Sequence, residues 1–305
     1  MAHVTPEPLG DRAQEGGARM VVAVVADDTP FCATGAELLA DRLFSLGASA
    51  VSELATPDGG GLRLVADLPV GALPDLEATG QPFEVLEVDP SWSGGWRDHA
   101  VAVAVGERLV VRPAWVAPSP EHDGRIEVVV DAAASFGSGS HATTRLCLAA
   151  IESLADRSAL GRVLDVGSGT GVLGAAALLL GATSLVAVDI DHAAVEATRR
   201  TAALGGVEHL VVESSVRTVA DVVDEHGPFD LVLANLLVPI IEQLGPQLAS
   251  AVAPGGDLVL SGLLADDATG QVDRAIAAVR GSGSELHVVA RLDDDGWSAV
   301  LLHRD

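Results

Sequence analysis

One short stretch constrains this chain more than any other. Val163-Leu164-Asp165-Val166-Gly167-Ser168-Gly169-Thr170-Gly171 carries an apolar strand into a turn of alternate glycines, and a helical run, Val172 to Leu180, follows at once. Alternate glycines permit positive φ and let a ligand lie against the main chain with no Cβ in the way. A strand, a glycine turn and a helix in that order belong to an α/β sheet whose ligands bind beyond the carboxyl ends of the strands. The flanking sequence extends the pattern. A helix is predicted from Thr143 to Leu154, a strand at 162–166, and a helix at 172–180 stopped by Gly181. Next come a strand at 185–188, a helix at 193–204 stopped by Gly205-Gly206, and strands at 210–212 and 229–234. A helix opening near Pro239, a strand at 258–260, a helix at 272–279, and strands at 285–290 and 297–302 complete the run. Strands joined by helices imply a mostly parallel sheet with helices on both faces. The last two strands are close enough for a hairpin, which makes one edge antiparallel.

The first part of the chain reads differently. Strand-like runs at 21–26, 50–55, 62–66 and 83–88 are separated by helical spacing at 33–46 and 72–78, with a turn at Pro57-Asp58-Gly59-Gly60-Gly61. The order β-α-β-β-α-β is that of a ferredoxin-like α+β module. The predicted organisation is a disordered tail at 1–19, a small α/β domain at 20–88, a connector of two or three strands at 89–130, and a larger α/β domain at 131–305.

Composition limits the partners. Acidic residues number 43 against 18 basic ones, all of them Arg, for a net charge of −25. Genome bias explains the absence of Lys, but the charge still argues against a broad nucleic-acid footprint and favours a basic partner. Cys32 and Cys147 make no metal-ligand spacing and no disulfide framework, which suits a reducing cytoplasm, so no metal is expected. No apolar run approaches the roughly 18 residues that span a bilayer, and the polar start lacks a signal-peptide core, so no membrane partner is expected.

The glycine turn calls for a nucleoside-containing cofactor. Asp189 closes the next strand, where a carboxylate can accept both hydroxyls of a ribose, and Ile190 beside it can pack on adenine or serve the core. Gly169-Thr170-Gly171-Val172-Leu173-Gly174 matches the dinucleotide fingerprint GxGxxG. Three features point instead to S-adenosylmethionine. The turn already begins at Gly167, one step before that match. Asp165 precedes the turn, where it can pair with a cationic amino group that a nicotinamide dinucleotide lacks. Asn235-Leu236-Leu237 follows the fourth strand, at the cleft where a methyl group would move.

Three segments resemble the bacterial PrmA family of class I methyltransferases, which act on large-subunit ribosomal protein eleven. They are Phe136-Gly137-Ser138-Gly139-Ser140-His141-Ala142-Thr143-Thr144, the Asp165–Gly171 turn with Asp189-Ile190-Asp191, and Asn235-Leu236-Leu237. Trp92, Trp96 and Gly106-Glu107-Arg108-Leu109 resemble the family's connector, so the likeness spans about 89–262. The resemblance implies a Rossmann-like methyltransferase domain behind the ferredoxin-like one. It implies cofactor contacts from Thr144, Gly167, Asp189 and Asn235, to which the reading of the turn adds Asp165, Gly169, Gly171 and Ile190. The chain departs from the family at Asp131-Ala132-Ala133-Ala134-Ser135 and at Ala142, and its first domain carries no matching motif.

The expected reaction moves a methyl group to a neutral amine, a lysine side chain or an N-terminus, of a ribosomal protein, on a monomeric enzyme. His141 is a candidate base, and the Asn235 carbonyl is a candidate for aligning the amine. Thr143 and Thr144 read equally as helix caps, and Trp92 and Trp96 as packing residues. The alternatives are a methyltransferase for another protein or a small molecule, a dinucleotide-dependent oxidoreductase, and a binding module without turnover.

Overall fold

The computed structural model describes residues 19–25, 43, 46, 51–55, 62–78, 83–86, 101–131, 141–265, 270–281 and 285–305. The chain divides into two compact units, Met1–Ser93 and Gly94–Asp305. The expected tail up to residue 18, most of the expected helix at 33–46, the turn at 57–61, Trp92, Trp96 and the segment 136–140 lie outside the described residues.

In the first unit, strands β1 (Arg19–Val25), β2 (Val51–Ala55), β3 (Leu62–Pro69) and β4 (Phe83–Leu86) pair in the order β2-β3-β1-β4. Every pairing is antiparallel, the arrangement expected of a ferredoxin-like module. Helix α1 (Leu73–Glu77) follows β3 and has Pro74 in its first turn, where a missing N–H costs nothing. Alternation sets the inner face of β3: Leu64, Ala66 and Leu68 are buried together with Val22, Leu43 and Leu76. That alternation continues through Leu68, which is why β3 outlasts the predicted strand.

The second unit has two sheets. Strands β5 (Val103–Val105), β6 (Leu109–Pro113) and β7 (Ile126–Val130) form the smaller, in that order. The turn between β5 and β6 is held by a helix named α2 (Ala142–Ala155). Buried Glu152 on α2 accepts the N–H groups of Glu107 at 2.7 Å and Arg108 at 3.2 Å. A Cβ at Gly106 would lie 2.6 Å from that carboxylate, so the Gly106–Leu109 run is a docking point for α2.

The larger sheet is built from β8 (Arg162–Val166), β9 (Ser184–Val188), β10 (Val211–Ser215), β11 (Phe229–Asn235), β12 (Val252–Leu264), β13 (Leu286–Asp294) and β14 (Trp297–Arg304). Their order is β10-β9-β8-β11-β12-β14-β13, parallel from β10 to β12, with β14 antiparallel to both neighbours. The helices are α2, α3 (Val172–Leu179), α4 (His192–Leu204), α5 (Val219–His226), α6 (Val238–Ala251) and α7 (Gln271–Arg280). Both faces of the sheet are covered. Along β11, Leu231 and Leu233 join one apolar cluster while Val232 and Ala234 join the other. Two-sided burial gives β8, β9 and β11 their unbroken apolar runs.

Three elements depart from the sequence reading. Helix α5 was not foreseen, because only Val219 and Val222 of its residues are buried; its signal was the cap, with Thr218 Oγ1 accepting the Asp221 N–H at 3.2 Å. Strand β12 covers thirteen residues, not three, because Pro254-Gly255-Gly256 is absorbed by a register shift in the β11–β12 pairing. Strand β13 runs to Asp294, and the hairpin turns at Asp295-Gly296, with Asp295 at φ 49°.

Candidate active site

The carboxyl ends of β8, β9 and β11 and the first turn of α2 supply the residues of the site. After β8 the chain turns through Gly167, Gly169 and Gly171 at φ 71°, 54° and 77°. The Gly167 and Ser168 N–H groups donate to the Val188 carbonyl at 2.8 and 3.2 Å, which ties the turn to β9. The glycines serve different ends. A Cβ at Gly171 would come within 2.6 Å of the Thr198 main chain on α4, and one at Gly174 within 2.7 Å of Leu185 on β9. Packing of α3 therefore demands both, and the third glycine of the GxGxxG match is a helix–strand contact. Gly167 faces the Leu236 side chain, whose tip would lie 2.4 Å from an added Cβ.

Asp165 is buried at the end of β8. Its Oδ2 accepts the Gly174 N–H at 3.0 Å, at the start of α3, while Oδ1 has no hydrogen-bond partner among the described residues. Burial raises its pKa from 3.8 to about 7, against the lowering effect of the Gly174 bond; the nearby Asp189 raises it further. Within that window the native state holds a proton that the unfolded chain has released. The contribution of Asp165 to stability therefore falls as pH rises from about 4 to about 7, and is flat above. Asp165→Asn keeps an acceptor for Gly174 and removes the charge. Its melting temperature should exceed that of the unaltered chain at pH 8 by several degrees, a difference that shrinks to zero as pH is lowered toward 4 in thermal melts.

Asp189 follows β9. Its Oδ2 accepts the Gly169 N–H at 2.9 Å and its Oδ1 the Asp191 N–H at 3.0 Å, so the carboxylate pins the glycine turn to the start of α4. Ile190 is 92% exposed and serves no core. Asp191 caps α4 by accepting the Ala193 N–H at 2.8 Å.

Helix α2 meets the end of β11. Its cap is His141, not a threonine: Nδ1 accepts the Thr143 N–H at 3.3 Å and lies 2.8 Å from Thr143 Oγ1. The His141 ring meets Trp297 edge-on at 5.0 Å. Burial and the Arg145 cation hold its pKa below 6.5, opposed by Asp295. An imidazole that accepts at Nδ1 carries its proton at Nε2, so service as a base would cost the cap. Asn235 donates from Nδ2 to Thr143 Oγ1 at 3.2 Å. Thr144 is buried, and its Oγ1 has no hydrogen-bond partner among the described residues. The chain after Asn235 is clamped by β12: the Leu236 N–H donates to the Ser261 carbonyl at 3.1 Å, and a Cβ at Gly262 would strike the Leu236 carbonyl at 2.3 Å. On the buried side of α2, Cys147 is a thiol whose pKa burial pushes up to about 12, which makes it inert.

The structure thus brings His141 and Asn235 together through Thr143, and joins Gly169 to Asp189. Sequence reasoning missed Thr143 as a link, Gly174 and Gly262 as close approaches, and Trp297 as a neighbour of His141. Sequence spacing carries no signal for a partner so far along the chain. Among the described residues, Glu213, Glu225 and His226 bring possible metal-ligand atoms within 4.8 Å of one another. Arg217 already pairs with both glutamates, at 3.3 and 2.6 Å.

Known proteins with this sequence pattern point one way. Residues 75–305 match the profile of the family described as ribosomal protein L11 methyltransferase (PrmA). A ribosomal protein L11 methyltransferase of Geobacter sulfurreducens is 37% identical over 225 residues, covering 73% of this chain and 70% of that protein. One from Parasynechococcus marenigrum is 44% identical over 206 residues, covering 64% and 71%. The crystal structure of a ribosomal protein L11 methylase from Lactobacillus delbrueckii superposes with a TM-score of 0.57 at 28% identity, covering 67% of this chain and 97% of that one. The match runs through the glycine turn, the α2 cap and the Asn235 loop alike, and the chain belongs to the ribosomal protein L11 methyltransferase (PrmA) family.

Proposed function

We propose that this protein is an S-adenosylmethionine-dependent methyltransferase that methylates amino groups, on lysine side chains or the N-terminus, of ribosomal protein L11. One observation carries the cofactor reading: two buried polar atoms of the site, Asp165 Oδ1 and Thr144 Oγ1, have no hydrogen-bond partner among the described residues. A buried group left so costs about 1–3 kcal/mol, which a bound ligand would recover. A carboxylate there suits a cationic amino group. Asp189 can accept ribose hydroxyls, since each of its oxygens keeps a lone pair beyond its backbone bond. Ile190, exposed and outside the core, offers an apolar face for adenine. Gly167, Gly169 and Gly171 bend the turn at positive φ, and the close approach of Gly171 to Thr198 on α4 holds it in place.

When bound, S-adenosylmethionine supplies a methyl group activated by its sulfonium. The chain's own task is to receive and orient an amine. A free lysine has a pKa near 10.4, so deprotonation at pH 7 costs about 4.6 kcal/mol. An acceptor such as the Asn235 carbonyl offsets part of that and fixes the direction of the lone pair. A net charge of −25 favours encounter with a basic protein. The substrate grip is assigned to residues 20–88, with 89–130 as connector and the chemistry in 131–305, on a monomer in the cytoplasm. No helix among the described residues is long and apolar enough to cross a membrane.

Purified L11 incubated with this protein and methyl-deuterated cofactor tests the reading by peptide mass spectrometry. Labelled methyl groups on L11 amines are expected. The enzyme contains no Lys, so every labelled lysine belongs to the substrate. Unlabelled L11, with label on another protein of a ribosomal extract, would overturn the substrate assignment.

A further inference from the structure

We infer that Thr143 is a positioning residue that decides which way round the Asn235 side-chain amide faces, through a hydrogen-bond relay ending on His141. The inference rests on the methyltransferase reading for its consequence, though not for its geometry. Thr143 is 1% exposed, in the first turn of α2. Its Oγ1 lies 2.8 Å from His141 Nδ1 and 3.2 Å from Asn235 Nδ2.

Proton counting sets the direction of each bond. The Thr143 N–H donates to His141 Nδ1, so that nitrogen is an acceptor and the ring proton sits on Nε2. A hydroxyl 2.8 Å from an acceptor nitrogen must donate to it, and Thr143 has one proton to give. Its oxygen is then only an acceptor toward Asn235. If the Asn235 amide were turned over, its carbonyl would face that oxygen with no proton between them. The NH2 group therefore faces Thr143, and Oδ1 takes the other branch of the fork, as an acceptor for the incoming amine. Asn and Gln amides flip readily when nothing holds them, and the wrong flip would present a donor to a donor. Asn235 is the only asparagine in the chain. The neighbouring threonines thus divide their work: Thr143 Oγ1 is spent inside the protein, and Thr144 Oγ1 has no partner among the described residues.

The test pairs Thr143→Val, which keeps the shape and the backbone cap but removes the hydroxyl, with Thr143→Ser, which restores it. Thr143→Val should lower turnover on L11 about tenfold, with cofactor affinity and melting temperature little changed, and Thr143→Ser should recover most of the rate. Chain labelled with ¹⁵N-asparagine shows a single side-chain amide, whose hydrogen-bonded proton should move upfield in Thr143→Val and stay in Thr143→Ser. Labelled histidine should show His141 Nδ1 unprotonated. A protonated Nδ1, an amide signal that ignores the valine, or equal losses in both variants overturns the relay. If the unaltered protein leaves L11 unmethylated, the functional reading fails, and the two spectra still decide the relay.

Discussion

Asn235→Ala is expected to slow methyl transfer by about a hundredfold or more at saturating cofactor, the largest kinetic effect of any single change in this site. Three independent features converge on this side chain. It stands at the carboxyl end of β11, beside the glycine turn of β8, where ligands of such sheets bind. Its amide is held by Thr143 at 3.2 Å. The loop behind it cannot shift, because the Leu236 N–H is bonded to Ser261 and the Leu236 carbonyl lies against Gly262. A rigid acceptor aimed at an amine lowers the cost of ordering it, and alanine offers nothing in its place. Because Asn235 also borders the expected cofactor site, the cofactor dissociation constant should rise, but by less than about tenfold. Single-turnover rates at saturating cofactor separate the two effects. A loss confined to cofactor affinity would contradict the orienting role.

Asp189→Ala should raise the dissociation constant for S-adenosylmethionine by at least tenfold, and toward about a hundredfold, with turnover largely restored at saturating cofactor. Hydrogen bonds from hydroxyls to a carboxylate are each worth about 1.5–3 kcal/mol, and a ribose offers two hydroxyls. The same carboxylate holds the Gly169 N–H at 2.9 Å and the Asp191 N–H at 3.0 Å, so its loss also loosens the turn. Asp189→Asn, with one acceptor oxygen instead of two, should fall between. Calorimetric titration of the three proteins reads the order directly, and equal affinities would remove Asp189 from the site.

Where burial is two-sided or alternation is clean, the fold was legible in advance. The runs at 162–166, 185–188 and 229–234 read as strands because both faces are covered, and Gly181 and Gly205 marked the ends of their helices. Asp165, Asp189 and Asn235 stood out as candidate site residues because they lie at or next to the carboxyl ends of apolar strands. Elements held by caps and not by burial escaped, as α5 shows with two buried residues and a threonine cap. So did β12, whose Pro254-Gly255-Gly256 looked like a break. The roles of His141 and Thr143 were the hardest to read. Two adjacent threonines suggest a cap, but which atom caps a helix depends on side-chain direction, and His141 takes that place. The bond from Thr143 to Asn235 joins residues 92 apart, and only the folded sheet makes them neighbours.

Titration of the unaltered protein with S-adenosylmethionine and, separately, with NADH puts the glycine turn to its most direct test. Saturable one-to-one binding of S-adenosylmethionine, with no heat or fluorescence change from NADH, is the predicted result. Binding of NADH that S-adenosylmethionine fails to displace would contradict it, and with it every role assigned to Asp165, Asp189 and Asn235.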